Sequence, residues 1–191
     1  MNVNKVIQTL NFFAIKQGGK QNKMKAYKLM WLADRYHLRQ YGRTITNEQY
    51  CDLPFGVVPS NAKNVLDGSH ILSNKDKSVF DNYLKIEDAN HYSSLQKPDA
   101  DVFSESDIEA LNKVWDSFGQ FDQFQLSELS HQFPEWKRYE ERLKDANSPN
   151  SFKVRMDDFF VNVKEGSGLF MDDDKLLELT KSVFHSYNGC C

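Results

Sequence analysis

The chain has 191 residues, a formal net charge of −3, 40% hydrophobic residues and 13% aromatic residues. This length and apolar content predict one folded domain with a sizeable core. No apolar run approaches the roughly 20 residues of a membrane span, and the N-terminal residues lack the apolar segment of a secretory signal. We therefore expect a cytoplasmic protein without a membrane partner.

The first part of the chain is predicted to form two helices and a hairpin. Apolar residues recur every three or four positions over residues 3–16, which predicts an amphipathic helix that ends before Gly18 and Gly19. A second helix is expected over residues 22–40, with Gly42 as its stop. Because it is apolar on most of its circumference, it is expected to be central. Residues 43–59 favour a short strand or hairpin, and Pro59 can begin a helix over residues 60–66.

The rest of the chain is predicted to be mainly helical. Residues 67–103 are polar and rich in turns, with one small strand over residues 83–86. Ser104 and Asp107 have the spacing of a helix cap, and an apolar face continues to residue 118. Further helices are expected over residues 125–130, 134–144 and 175–186, with a compact apolar segment at 156–161. The predicted fold is mainly α (α+β): a compact helical domain around a central buried helix, with a small β-hairpin or short strands.

Three cysteines, Cys51, Cys190 and Cys191, do not make a disulfide framework. The terminal pair is interpreted either as a frayed tail or as a lipidation signal. No CxxC or HExxH spacing supports a metal site, so we expect neither a metal nor a cofactor.

The positive charge is concentrated near the N-terminus. Residues 1–50 hold nine Lys or Arg against two acids, a net charge of +7. Such a split can mark an acidic partner or nucleic acid, or it can mean that two parts of one fold attract each other. Four of these cations form one strip of the second helix, which is either a solvated face or a phosphate-contacting surface: Lys25, Lys28, Arg35 and Arg39.

Three blocks of sequence, at residues 28–46, 55–60 and 126–136, together resemble the Panacea domain family of SocA-like antitoxins. Residues 28–46 read KLMWLADRYHLRQYGRTIT, similar to the family's K-L-L-Y-x-A-D-x-x-H-L-x-x-Y-G-x-x-I-T. Residues 55–60 read FGVVPS, similar to Y-G-P-V-P-S, and Val57 departs from the family by replacing a proline. Residues 126–131 read LSELSH, and with Trp136 they resemble L-S-x-x-S-H-x-x-x-x-W. A segment near the family's end resembles residues 156–160.

The resemblance covers roughly residues 20–160 and implies an antitoxin or phage-associated protein. We predict an N-terminal helix over residues 1–19, a Panacea-like domain over 20–165, and a C-terminal helix and tail over 166–191. The family's signature positions, which serve fold or function, fall on Asp34, His37, Tyr41, Gly42, Gly56, Pro59, Ser130, His131 and Trp136.

Two pairs within the signatures have a structural and a functional interpretation. Asp34 and His37 lie three residues apart, so they share a helix face. They could be a hydrogen-bonded acid–histidine pair, or could fix the helix against the following loop. His131 and Trp136 lie at a helix corner, where they either cap and pack the helices or contact a partner. With Ser127 or Ser130, a histidine could serve a hydrolase, but no nucleophile elbow surrounds them, and we expect no enzyme.

The loop over residues 50–60 is the preferred candidate for a binding surface. Proline and glycine fix its backbone, and its aromatic residues either anchor a partner or complete the core. Together with the basic strip, it supplies the partner-binding candidates Lys28, Arg35, Arg39, Tyr50, Phe55 and Val58.

The resemblance implies that the protein neutralises a cognate toxin by direct protein–protein binding, either by blocking it or by delivering it to a cellular protease. A nucleic-acid-binding regulator of its own operon is the alternative, since residues 1–50 are basic. The sequence does not name the toxin or the oligomeric state.

Overall fold

The computed structural model describes residues 2–68, 72–164 and 168–188. Within these ranges the chain is mainly helical, with two small antiparallel sheets of three strands each, which confirms the predicted fold class. The helices are α1 (Val3–Lys16), α2 (Lys23–Tyr41), α3 (Ser60–Leu66), α4 (Asn74–Tyr83), α5 (Glu105–Phe118), α6 (Gln123–Ser130), α7 (Pro134–Lys137), α8 (Glu140–Lys144) and α9 (Asp174–Asn188). The strands are β1 (Lys20–Asn22), β2 (Tyr50–Leu53), β3 (Gly56–Pro59), β4 (Leu84–Ile86), β5 (His91–Ser94) and β6 (Phe152–Lys153).

Helix α2 is the centre of the fold, as its apolar circumference predicted. It packs against α1, α5, α6 and α9. Asn22 caps its first turn by accepting a hydrogen bond from the Lys25 amide, and Gly42 ends it in the left-handed region at φ 69°. A Cβ at Gly42 would lie 2.7 Å from the Val183 side chain. Gly42 therefore both ends α2 and allows α9 to approach it.

The helix caps explain why the long helices were predictable. Helix α1 has the bounds that its apolar spacing predicted. At α5, Ser104 accepts a hydrogen bond from the Asp107 amide, and the Asp107 carboxylate accepts one from the Ser104 amide. This reciprocal pair satisfies two amides of the first turn, which have no partner within the helix.

The hairpin between α2 and α3 is formed by β2 and β3. Tyr50 pairs with Pro59 and Asp52 with Val57, while β6 adds to the other edge of β2. The predicted hairpin and the predicted small strand, observed as β4, are confirmed. Strands β1, β5 and β6 were not predicted, because each is only two to four residues long. Strands β1 and β6 pair with partners distant in sequence, whereas β5 also pairs with the nearby β4.

The structure corrects two other details and adds a third. Helix α4 forms where only turns and a strand were expected; none of its residues is fully buried, and Val79, Phe80 and Tyr83 pack partly buried against the core. The helix expected over residues 134–144 is two short helices, α7 and α8. Residues 156–160 form a 3-10 helix.

The terminal pair Cys190 and Cys191 lies outside the described residues. No helix in the described ranges is long and apolar enough to cross a membrane.

The basic N-terminal part and the acidic remainder of the chain attract each other inside the fold. Six of the basic residues form ion pairs with acids that lie beyond residue 50: Lys5–Asp107, Lys20–Asp88, Lys23–Asp67, Arg35–Glu135, Arg39–Asp172 and Arg43–Asp107. The interpretation of the charge split as internal attraction is therefore confirmed.

Candidate partner-binding site

The basic strip of α2 lies inside the protein. Lys25, Lys28, Arg35 and Arg39 are all buried, the two arginines with no exposed surface. The expectation that they form a solvated or phosphate-contacting face is wrong, and as partner-binding candidates Lys28, Arg35 and Arg39 lack the exposed surface that such contact needs. The periodicity showed that the four cations share a face, but the elements that cover this face come from distant parts of the chain.

The two arginines hold the segment that leads to α9 against α2. Arg35 forms an ion pair with Glu135 and donates to the backbone carbonyls of Asp158 and Val161. Arg39 donates to Asp172, to Asn162 and to three backbone carbonyls in residues 159–170. Each guanidinium thus uses several of its donors on protein acceptors, as a buried arginine requires.

Lys28 instead holds the tip of the β2–β3 hairpin. Its Nζ donates to the carbonyls of Phe55 at 2.6 Å and Val57 at 2.9 Å, and Ser127 Oγ of α6 donates to the same Phe55 carbonyl at 2.8 Å. Burial lowers the pKa of Lys28 to about 7, an effect that Asp52 opposes. The backbone of the tip is therefore fixed from both α2 and α6.

Gly56 brings the three signature blocks together. Its φ is +90°, and a Cβ built on it would lie 1.8 Å from Ser130 Oγ and 2.6 Å from Lys28 Nζ. Only a residue without a side chain allows this approach. Lys28 of the first block, Gly56 of the second and Ser130 of the third therefore meet beneath the hairpin tip.

The aromatic and apolar residues of the hairpin have different locations. Tyr50 and Val58 are buried, so for these two the alternative that they complete the core is correct and the binding-surface interpretation is wrong. Phe55 lies at the tip with 67% of its surface exposed. Pro59 ends β3 and occupies the cap position of α3.

Asp34 and His37 act separately. The Asp34 carboxylate accepts hydrogen bonds from the Ile45 and Thr46 amides, the Thr46 hydroxyl and the Tyr50 hydroxyl. It therefore fixes α2 against the chain that enters β2. Burial raises the pKa of Asp34 to about 6, although these donors oppose the shift.

His37 faces another part of the fold. Its ring nitrogens contact the Arg43 carbonyl at 2.7 Å and Ser106 Oγ at 3.0 Å, so it connects the end of α2 to α5. Tyr41 is 40% exposed, and its hydroxyl donates to Glu109 of α5. Neither residue has the other among its hydrogen-bond partners, so the proposed hydrogen bond between Asp34 and His37 does not form.

His131 and Trp136 pack on each other at the corner between α6 and α7. Their rings stack with centroids 4.0 Å apart, and Trp136 Nε1 donates to the Leu53 carbonyl in β2. Burial lowers the pKa of His131, which keeps the imidazole neutral at pH 7. The pair thus packs the corner between the helices, as the packing interpretation predicted, and it also holds β2 next to the hairpin tip.

A groove opens beside this stacked pair. It has a volume of about 480 Å³. Its walls come from the hairpin, α6, α7 and α8, and its lining residues are Pro54, Glu128, His131, Gln132, Trp136, Lys137, Glu140, Leu143 and Lys144.

Phe124 extends the same surface and was not predicted. It is 64% exposed on α6, and it shares a helix face with Glu128 and His131, which lie four and seven residues further on. The sequence did contain a signal for Phe124. It is an aromatic residue at the start of a helix, and it is not one of the buried positions of that helix, which are Leu126, Ser127 and Ser130. We call the combination of Phe55, Phe124 and the groove the hairpin-tip surface.

The serine hydroxyls near His131 form part of this support. Ser130 Oγ donates to the Ser127 carbonyl, and Ser127 Oγ donates to the Phe55 carbonyl.

Across residues 2–68, 72–164 and 168–188, no group of three or more His, Cys, Asp or Glu side chains is placed to hold a metal ion.

Comparison with known proteins identifies the family. Residues 27–137, more than half of the chain, match the family model described as antitoxin SocA-like, Panacea domain. The match includes all three signature blocks and the residues that meet beneath the hairpin tip. Searches of curated proteins and of solved structures gave no match. The chain belongs to the SocA-like antitoxin family of Panacea-domain proteins.

Proposed function

We propose that this protein is an antitoxin that neutralises its toxin by direct binding through the hairpin-tip surface, without catalysis of its own and within the cytoplasm. The observation that carries the proposal is Phe55, a large apolar side chain that is 67% exposed on a turn held by Lys28 and Ser127. An aromatic anchor on a fixed backbone loses little conformational entropy when it binds.

Whether binding blocks the toxin or delivers it to a protease is a further part of the proposal, and both modes begin with the same complex. The nucleic-acid alternative has less support. Five of the nine cations in residues 1–50, Lys23, Lys25, Lys28, Arg35 and Arg39, are buried and cannot contact phosphates.

We expect Phe55→Ala to weaken binding of the toxin encoded by the adjacent gene by about 30-fold, because an anchor residue contributes about 2 kcal/mol. Phe55→Asp should abolish rescue of growth when the two proteins are co-expressed. Affinity is measured by titration calorimetry and folding by thermal unfolding.

Tyr187→Ala is the matched control, because Tyr187 is an aromatic residue of α9 with 79% exposure and lies outside the hairpin-tip surface. It should leave affinity unchanged. Equal affinities for wild type and both Phe55 variants, with folding intact, would show that the toxin binds elsewhere or not at all.

A further inference from the structure

The hairpin that carries Phe55 contains a buried carboxyl group that receives no hydrogen bond. Asp52 lies in the middle of β2 with no exposed surface, and neither of its oxygens has a hydrogen-bond partner among the described residues. A buried carboxylate in this position is costly, because no donor replaces the water that it lost on folding. A protonated carboxyl group avoids most of that cost.

The charged groups around Asp52 are mostly of the same sign. Glu135 from α7 and Asp158 from the 3-10 helix both disfavour a negative charge on it, whereas Lys28 from α2 favours one. Burial is the largest effect, and together these groups raise the pKa of Asp52 to about 8.

The neighbouring ions do not supply the missing donor. Arg35 binds Glu135, Arg138 binds Asp158, and Lys28 donates to the tip carbonyls. On the neighbouring strands, Asp52 pairs with Val57 and Phe152, which carry no charge. Lys153 pairs with Cys51 instead, and its side chain is therefore on the opposite face of the sheet.

We propose that Asp52 is a proton-dependent latch for the hairpin: while its carboxyl group holds a proton, the hairpin stays packed against α2 and α7, and loss of that proton loosens the hairpin and its tip. This proposal rests on the proposed function only for its consequence, which is that a loosened tip presents Phe55 less well to a partner. The movement itself is a property of the chain alone.

The direction of the pH effect follows from the two states. An unfolded aspartate titrates near pH 4, so between about pH 4 and 8 the native protein holds more protons on this group than the unfolded chain does. The contribution of Asp52 to the free energy of unfolding is therefore complete at low pH and is lost as the pH rises through 8. Lys28, whose pKa is lowered, contributes with the opposite sign. The comparison of wild type with Asp52→Asn separates the two.

Hydrogen exchange of the full-length protein, followed by mass spectrometry from pH 6 to 9.5, tests the latch. Rates in residues 50–59 are divided by the intrinsic rate at each pH and compared with α5 as an internal reference. Between pH 7 and 9, protection of the hairpin in wild type should fall about tenfold relative to its protection in Asp52→Asn. Asp52→Asn cannot ionise, so its profile reports only the other titrating groups, Lys28 included. Asp116→Asn, which removes an exposed carboxylate of α5, should behave as wild type.

A ratio of wild-type to Asp52→Asn protection that stays constant from pH 7 to 9 would overturn the latch. If Asp52→Asn does not fold, a ¹³C titration of the Asp52 carboxyl in wild type decides: a midpoint above pH 6.5 supports the proposal and a lower midpoint overturns it. Neither measurement involves the toxin. A failed latch therefore leaves binding through Phe55 untouched, and a failed binding test leaves the latch standing.

Discussion

Replacing Gly56 with alanine is expected to lower the free energy of unfolding by about 3 kcal/mol or more. Part of the loss comes from the positive φ, which costs an alanine about 1 kcal/mol. The rest arises because the added Cβ would lie 1.8 Å from Ser130 Oγ and 2.6 Å from Lys28 Nζ, which forces the hairpin tip away from α2 and α6. Urea unfolding measures the loss.

Gly18→Ala is a close control for this substitution. Gly18 has φ +91°, nearly the value at Gly56, but a Cβ at Gly18 would have no atom within 4 Å. We expect a loss of about 1 kcal/mol there. If both variants lost the same stability, backbone conformation alone would explain Gly56, and the close meeting of the three signature blocks would not constrain it.

Replacing Arg35 with methionine is expected to cost about 3–5 kcal/mol, because it leaves the Glu135 carboxylate buried without its counter-ion. Both side chains of this pair have no exposed surface. The carbonyls of Asp158 and Val161 would lose donors as well. Thermal and urea unfolding at pH 7 measure the loss.

A double variant and an exposed arginine make this prediction specific. Arg35→Met combined with Glu135→Leu should be more stable than Arg35→Met alone, because no isolated charge remains buried. Arg155→Met, at an exposed position, should change stability by about 0.5 kcal/mol or less. A double variant that is no more stable than the single one would mean that Arg35 acts mainly through the backbone carbonyls.

The hairpin shows how much of the candidate site could be predicted from the sequence. Extended residues punctuated by Pro54, Gly56 and Pro59 predicted the hairpin, and of its three binding candidates Phe55 is the exposed one. The pattern did not distinguish Phe55 from Tyr50 and Val58, which are buried. Alternation along a strand shows which residues share a face, but not which face another element covers.

The basic strip of α2 shows the same limit more clearly. Helical periodicity correctly put Lys25, Lys28, Arg35 and Arg39 on one side of the helix. A cation on a helix face is usually solvated, and only a set of distant acceptors makes burial tolerable. Those acceptors come from the hairpin, from Gln17 and Gly119, and from residues 135–172, and nothing near α2 in the sequence predicts them.

The sequence by itself determined the family, the central helix, the capped helices and the hairpin, because these depend on residues within a few positions of each other. Caps, apolar spacing and turn glycines act locally. Only the tertiary structure decided which charges are internal, that Lys28, Gly56 and Ser130 meet beneath one turn, and that Asp52 is buried without a donor. Each of these depends on groups far apart in the chain, and burial changes the free energy of a charge far more than its sequence neighbours do.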